Sequence, residues 1–379
     1  MRCSTWGQRV PGRCSVAAKM SSPQLVRHSA SHLLATDFQY VQGLVERNYI
    51  GHGPLCDELR RLLMTEFACD DAILTDSGTA ALHLCLLALG RQYADRKRVL
   101  VGSYVCPEVI GAVMRAELEP VLVDTQADSL NIDMADAARR LDARTLAIIC
   151  TNIGGMPDDY SAAARLGVPI ISDCAQAVGS SVDGRDVTSL GLCAILSFGA
   201  TKMLSAGGGG AALCRDQTLA RAVASLALPE LAVEEYRRSG FTVTYGQHFG
   251  DLGAGVAGAQ VRRLAALVER RRRIAATYER VLEARDDVIV PREPSSARSN
   301  RFRYYFLSRD ASRWVDSLRS RGIDARESIS HAIPEYQGRM RDFPGLNAVS
   351  RMIVSVPIYP AMSPAHIDAV VAGLAAGPD

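Results

Sequence analysis

Lys202 is one of only three lysines, with Lys19 and Lys97, in a chain whose lysines and arginines number 43 together. Arginine stays protonated under ordinary conditions, whereas a lysine amine can lose its proton and condense with an aldehyde. A chain that writes nearly every cation as arginine therefore has a chemical reason to keep a lysine where an imine must form. Lys202 lies in LCAILSFGATKMLSAGGGGAAL, where an apolar run ends at Ser197 and Phe198 and a short turn leads to the lysine and four glycines. Two other junctions complement it. Asp76-Ser77-Gly78-Thr79 follows the apolar run AILT; a glycine that allows close backbone approach, followed by a hydroxyl at a helix start, makes a phosphate cradle. Asp173-Cys174-Ala175-Gln176 follows VPIIS, and an acid that closes a buried strand needs a cationic partner. Ser197 stands five residues before Lys202, a spacing that lets the hydroxyl bond a phosphate while the amine reaches an aldehyde. Taken singly, each has a plainer reading as a helix cap or a loop lysine.

The elements that must position these residues alternate from residue 54 onward between helical and strand-like segments, the pattern of a mainly parallel sheet covered by helices. PLCDELRRLLMTEF reads as an amphipathic helix, and SGTAALHLCLLALG as a helix opened by Ser77. Strands are expected at AILT (72–75), VLVG (99–102), PVLVD (120–124), LAIIC (146–150), VPIIS (168–172) and LCAILSF (192–198). GAALC (210–214) follows too closely for a crossover helix and is expected to run antiparallel to a neighbour. One long connecting helix is expected over 254–284, then strands at RFRYYFLS, GIDARES and RMIVSVPI in a smaller α+β unit. The predicted fold is α/β, with residues 1–22 a disordered extension, 23–260 a large cofactor-binding domain and 261–379 a small C-terminal domain.

In such sheets ligands bind at the carboxyl ends of the strands. A phosphate cradle, an acid to keep a pyridine nitrogen protonated and a lysine for a Schiff base together specify pyridoxal 5'-phosphate. DSGTAALHL, VLVDTQADSLNID, IISDCAQAVGSSVDGRDVTSLG and SFGATKMLSAGGGGAAL, in that order, resemble the successive motifs of the DegT/DnrJ/EryC1/StrS sugar aminotransferases, of the fold-type I class. RGIDARESISHAIPEY and IVSVPIYPAMSPAHID resemble the closing segments of that family. The resemblance implies a seven-stranded large domain and an amino transfer, usually from glutamate, to a keto sugar attached to a nucleotide. It implies that Lys202 binds the cofactor and moves the proton, Asp173 pairs with the pyridine nitrogen and Gln176 approaches the phenolic oxygen. Ser197, Gly78 and Thr79 would hold the phosphate, and two subunits of a homodimer would share each site.

The chain departs from the family pattern at several points. The position that usually stacks an aromatic ring on the cofactor falls on Cys106, with Tyr104 beside it as the residue expected to take that role. Gly208 replaces an acid in the glycine loop, and the segment facing the partner's phosphate reads YGQHFGDLGAG, leaving Gln247 or His248 there. His331 and His52 are further candidates for facing the substrate. These changes leave open a cyclitol or an amino-acid-like substrate. A dehydratase typically carries histidine in place of Lys202, and a non-catalytic relative has no need of the whole Lys, Asp, Gln and Ser set.

A net charge of +2 supplies no field for nucleic acid or an anionic membrane, and no apolar run is long enough to cross a bilayer. The ten cysteines contain no C-x-x-C pair and mostly sit in apolar runs, so reduced buried thiols, a reducing cytoplasm and no metal site are expected. A nicotinamide dehydrogenase is disfavoured because the glycine run follows the lysine and lacks G-x-G-x-x-G spacing.

Overall fold

The computed structural model describes residues 25–378 other than 229–231, 234, 235, 238, 239 and 241. The extension expected over 1–22 lies outside the described residues. Seven strands form the central sheet: β1 (Asp71–Thr75), β2 (Arg98–Gly102), β3 (Glu119–Val123), β4 (Thr145–Cys150), β5 (Ile170–Asp173), β6 (Cys193–Ser197) and β7 (Gly210–Cys214). Their spatial order is β1-β7-β6-β5-β4-β2-β3. Only β7 runs against the rest, pairing Gly210 with Ser197 on one side and with Thr75 on the other. The link from β6 to β7 holds no helix, and without one the chain can only double back.

Helices cover both faces, which is why the central strands are apolar on both sides. Along β6, Cys193 and Ile195 enter one core while Ala194 and Leu196 enter the other, the two-residue period of a strand. The first core receives Leu82, Leu86 and Leu89 of α2 (Gly78–Gln92), Val109 and Val113 of α3 (Pro107–Arg115) and Leu219 and Val223 of α4 (Gln217–Ala227). The second receives Leu59 and Leu63 of α1 (Pro54–Phe67), Ala254 and Ala257 of α5 (Asp251–Val261) and Leu267 of α6 (Leu264–Leu282). Proline at its first position starts α1, and Ala68 ends it in the left-handed conformation at φ +47°.

The connecting segment is two helices rather than the single one expected, because the chain breaks at Arg262–Arg263. The Arg263 guanidinium reaches the Asp37 carboxylate at 2.6 Å and the His32 carbonyl at 2.9 Å, which anchors the break to the N-terminal segment. A third core gathers Tyr278 and Leu282 of α6, Tyr304 and Phe306 of β8 (Tyr304–Leu307), Trp314 of α7 (Ala311–Ser320), Val354 and Val356 of β9 (Ile353–Val356) and Val370 of α8 (Pro364–Ala376). β8 and β9 pair antiparallel. GIDARES forms no third strand: it makes isolated bridges through Ile323 to Val26 and Arg326 to Ser355. Val26 belongs to this third core, so the segment around it packs with the C-terminal elements although its sequence position groups it with the large sheet.

Candidate active site

Asp173 ends β5 and Ser197 ends β6, so two of the chemistry-bearing junctions meet because their strands are neighbours in parallel register. The third, at the start of α2, is brought to the same edge by β7. Ser77 bridges to Gly209, and a side chain at Gly210 would collide with the backbone of Ser77 and Gly78. Gly209 itself has φ +96° with Phe249 where a Cβ would be, so the glycine run is what lets the helix start approach the strand end. Ser77 caps α2 by accepting the Ala80 N–H at 3.1 Å. The first amides of a helix have no intrahelical acceptor and favour an anion, which places Gly78 and Thr79 at a site suited to phosphate.

After β6 the chain turns tightly, with the Lys202 N–H donating to the Gly199 carbonyl at 2.9 Å. The turn is pinned from outside. Fully buried Gln260 of α5 accepts the Ser205 N–H at 2.8 Å and donates back to the Ser205 carbonyl, while Ser31 and Ser205 both donate to the Ala200 carbonyl. Gly78, Thr79, Asp173, Gln176, Ser197 and Lys202 thereby line one cavity of about 220 Å³ with Cys106 and Glu108. Burial pulls the Lys202 amine below its ordinary range and pushes the Asp173 carboxyl above its own, and each charge opposes the shift of the other. The Ala175 N–H at 2.9 Å also helps hold Asp173 ionised. Gln176 accepts the Gly154 N–H at 2.9 Å, which fixes its carbonyl oxygen and leaves its amide nitrogen as the donor.

The remaining candidates fall elsewhere. Tyr104 is buried, its hydroxyl accepts the N–H groups of Ile329 and Ser330 at 3.0 and 3.1 Å, and burial raises its pKa to about 12. Position 106, not 104, lines the cavity; the Cys106 thiol donates to Glu108 at 2.6 Å and is pushed up to about 11 by burial and that carboxylate. Gln247 lines an adjoining cavity of about 540 Å³ that shares Thr79 and Glu108 with the first. His248 lines a third cavity with His52, Tyr49 and Arg60. His331 is exposed, bonded to Tyr336 at 2.7 Å, and paired through its backbone with Val105. Among the described residues no cluster of histidine, cysteine or acid side chains could hold a metal ion.

Asn152 was not singled out from the sequence. It follows β4 at φ +48°, and its amide donates to the Asp173 carbonyl at 3.1 Å and to the Tyr160 hydroxyl at 3.0 Å, bracing the end of β5. Its place after LAIIC, a fourth strand end, was the available signal.

A cavity with helix amides at one end, a buried carboxylate and an amine whose pKa burial lowers fits pyridoxal 5'-phosphate, whose phosphate, ring nitrogen and aldehyde need those three groups. Residues 32–375 match the DegT/DnrJ/EryC1/StrS aminotransferase family model. The chain belongs to that family. It is a pyridoxal phosphate-dependent aminotransferase. Its fold matches the sugar aminotransferase CalS13 from Micromonospora echinospora with a TM-score of 0.85 and 21% identity, covering 93% of this chain and 100% of that one. The aminotransferase TlmJ from Streptoalloteichus hindustanus matches with a TM-score of 0.83 and 26% identity over 93% of this chain and 98% of that one. The PLP-form structure of Spr1654 from Streptococcus pneumoniae matches with a TM-score of 0.81 and 19% identity over 93% of this chain and 98% of that one. No described helix is long and apolar enough to cross a membrane.

Proposed function

We propose that this aminotransferase moves an amino group from an amino acid, glutamate being the first choice, to a keto sugar that is nucleotide-linked or otherwise activated. The observation that carries the reading is the shared cavity of Lys202 and Asp173 at the carboxyl ends of β5 and β6. Family membership and the CalS13-like fold support a sugar acceptor. When bound, pyridoxal phosphate supplies an aldehyde to take up the amino group and a ring to draw electrons from the reacting carbon. Lys202 Nζ would hold the cofactor at rest and then move the proton at the reacting carbon. Asp173 keeps a proton on the pyridine nitrogen, Gln176 donates to the phenolic oxygen, and Gly78, Thr79 and Ser197 hold the phosphate.

Assembly belongs to the same proposal: a homodimer in which the loop over 242–253 reaches the partner's phosphate site. Exposed Val243 and Tyr245 on this loop and Leu252 in the first turn of α5, with Tyr49 and Ile50 on the segment before α1, support an apolar contact between copies. The eight described cysteines are free thiols, which supports the cytoplasm as the compartment. The test is a half-reaction with glutamate followed through the cofactor's absorbance, then a panel of keto sugars to return the enzyme to its starting form. A cofactor spectrum that no amino acid changes would reject the donor, and failure of every keto sugar to reverse the change would reject the acceptor class.

A further inference from the structure

Arg303 is a cation without a counter-charge beside the cofactor cavity. It immediately precedes β8, and its backbone N–H donates to the Gly154 carbonyl at 3.0 Å, the same glycine whose N–H holds the cavity-lining Gln176. Three cations gather at the Phe302 ring: Arg303 Cζ lies 4.5 Å from its centroid, Arg271 Cζ 5.5 Å and Lys202 Nζ 5.6 Å. Arg271 donates through Nη1 to the carbonyls of Phe302 and Ile358 at 3.0 and 2.8 Å while its Nε stays unpaired, and nearby Arg326 pairs with Asp324 at 3.0 Å. Lys202 faces Asp173. Among the described residues the Arg303 guanidinium makes no hydrogen bond or ion pair at all, and its Nη1 is buried. Burial and the Arg326 charge pull its pKa down to about 10, and nothing facing it pulls the other way.

A buried cation left unpaired is costly, and removing one partner of a charged pair leaves that cost in full. The planar fork of a guanidinium matches a carboxylate through two parallel hydrogen bonds. In an amino acid the carboxylate is bonded directly to the carbon that reacts, so its anchor must stand close to the catalytic amine, as Arg303 does through Phe302. We propose that Arg303 binds a substrate carboxylate beside Lys202, in the first place that of the amino donor. This rests on the reading that the donor is an amino acid. A keto sugar bearing an acid group would offer the same chemistry.

Maleate, an unreactive dicarboxylate, tests the anchor by calorimetric titration of the holoenzyme. Wild type is expected to bind it, Arg303→Gln to bind it at least about tenfold more weakly, and Arg303→Lys to fall between, because charge is kept and the fork is lost. Cofactor absorbance and thermal unfolding establish that each variant remains loaded and folded, and the Lys variant carries the comparison if the Gln variant does not fold. Half-reactions then separate the sources. A loss with glutamate but not with an amino sugar lacking a carboxylate assigns the anchor to the donor, and a loss confined to an acid-bearing keto sugar assigns it to the acceptor. Absence of maleate binding by wild type, or equal affinity in the folded variants, overturns the proposal. The titration reads Arg303 even if no amino acid proves to be a donor, so the two readings fail separately.

Discussion

The Asp173 carboxylate and the Lys202 amine line one cavity, and each carries the charge that counters what burial does to the other. An ordinary lysine has a pKa near ~10.4 and is almost wholly protonated at neutral pH, so burial shifts Lys202 in the direction that imine formation requires. Borohydride treatment of the holoenzyme is expected to fix the cofactor on the peptide containing Lys202, and Lys202→Ala is expected to lower turnover by about a thousandfold or more. Recovery of the label on Lys19 or Lys97 would reject the assignment.

Asp173→Asn keeps the shape of the side chain and removes its charge. The variant is expected to fold and to lose turnover by about a hundredfold or more, because the pyridine proton loses its counter-ion. The same change removes the carboxylate that raises the Lys202 pKa, so in cofactor-free protein Lys202 should become reactive toward an acylating probe at lower pH. Near-normal turnover, or a reactivity profile that does not move, counts against the pairing.

Much of this site could be read before the fold because its parts are local. Apolar runs mark the strands, and Gly78, Asp173, Ser197 and Lys202 each sit at or just beyond the end of one. The antiparallel β7 was equally legible, since a short glycine link excludes a crossover. What could not be read depends on distant partners. The break at Arg262–Arg263 is anchored by Asp37, and Arg303 is one of many arginines until Phe302 places it beside Lys202. Tyr104 and Cys106 lie on the same stretch, and only pairing with the chain at His331–Ala332, together with the loop N–H groups at 329–330, shows which one is drawn away.

Gln260 grips the lysine turn through the backbone N–H and carbonyl of Ser205. Gln260→Leu fills similar space and leaves that N–H and carbonyl buried without partners. A loss of about 1–3 kcal/mol is expected in denaturant unfolding, together with a lower rate in the glutamate half-reaction as the turn loosens. Unchanged stability and rate would mean that the other contacts at the turn suffice.

His32 lies buried against Met203 of the same turn, and burial, aided by the charges of Arg271 and Arg263, lowers its pKa to about 4. Below the ordinary value of 6.5 the unfolded chain binds a proton that the folded chain refuses, so stability is expected to fall as pH drops from about 6.5 toward 4. At pH 5 this costs about 2 kcal/mol. Replacing His32 with Leu should flatten that part of the profile, as read from unfolding midpoints at pH 7 and pH 5. Equal losses in wild type and variant would assign the acid sensitivity to other groups.

The loop over 242–253 decides whether each site belongs to one chain or two. Within one chain it is held by the Tyr245 and Gln247 N–H groups, which donate to the Leu226 and Ala227 carbonyls at 2.8 Å, and Gln247 shares a cavity with Thr79. The proposed homodimer has the loop serving the partner's phosphate instead. Subunits carrying Lys202→Ala and subunits carrying Gln247→Ala with His248→Ala are each expected to be inactive as homodimers. In a heterodimer one site then collects both lesions and the other collects neither. Random exchange at equal concentrations makes half of the dimers mixed, so about a quarter of wild-type activity should return. If exchange is demonstrated with labelled subunits and no activity returns, the loop serves the site of its own chain, as its position beside Thr79 would allow.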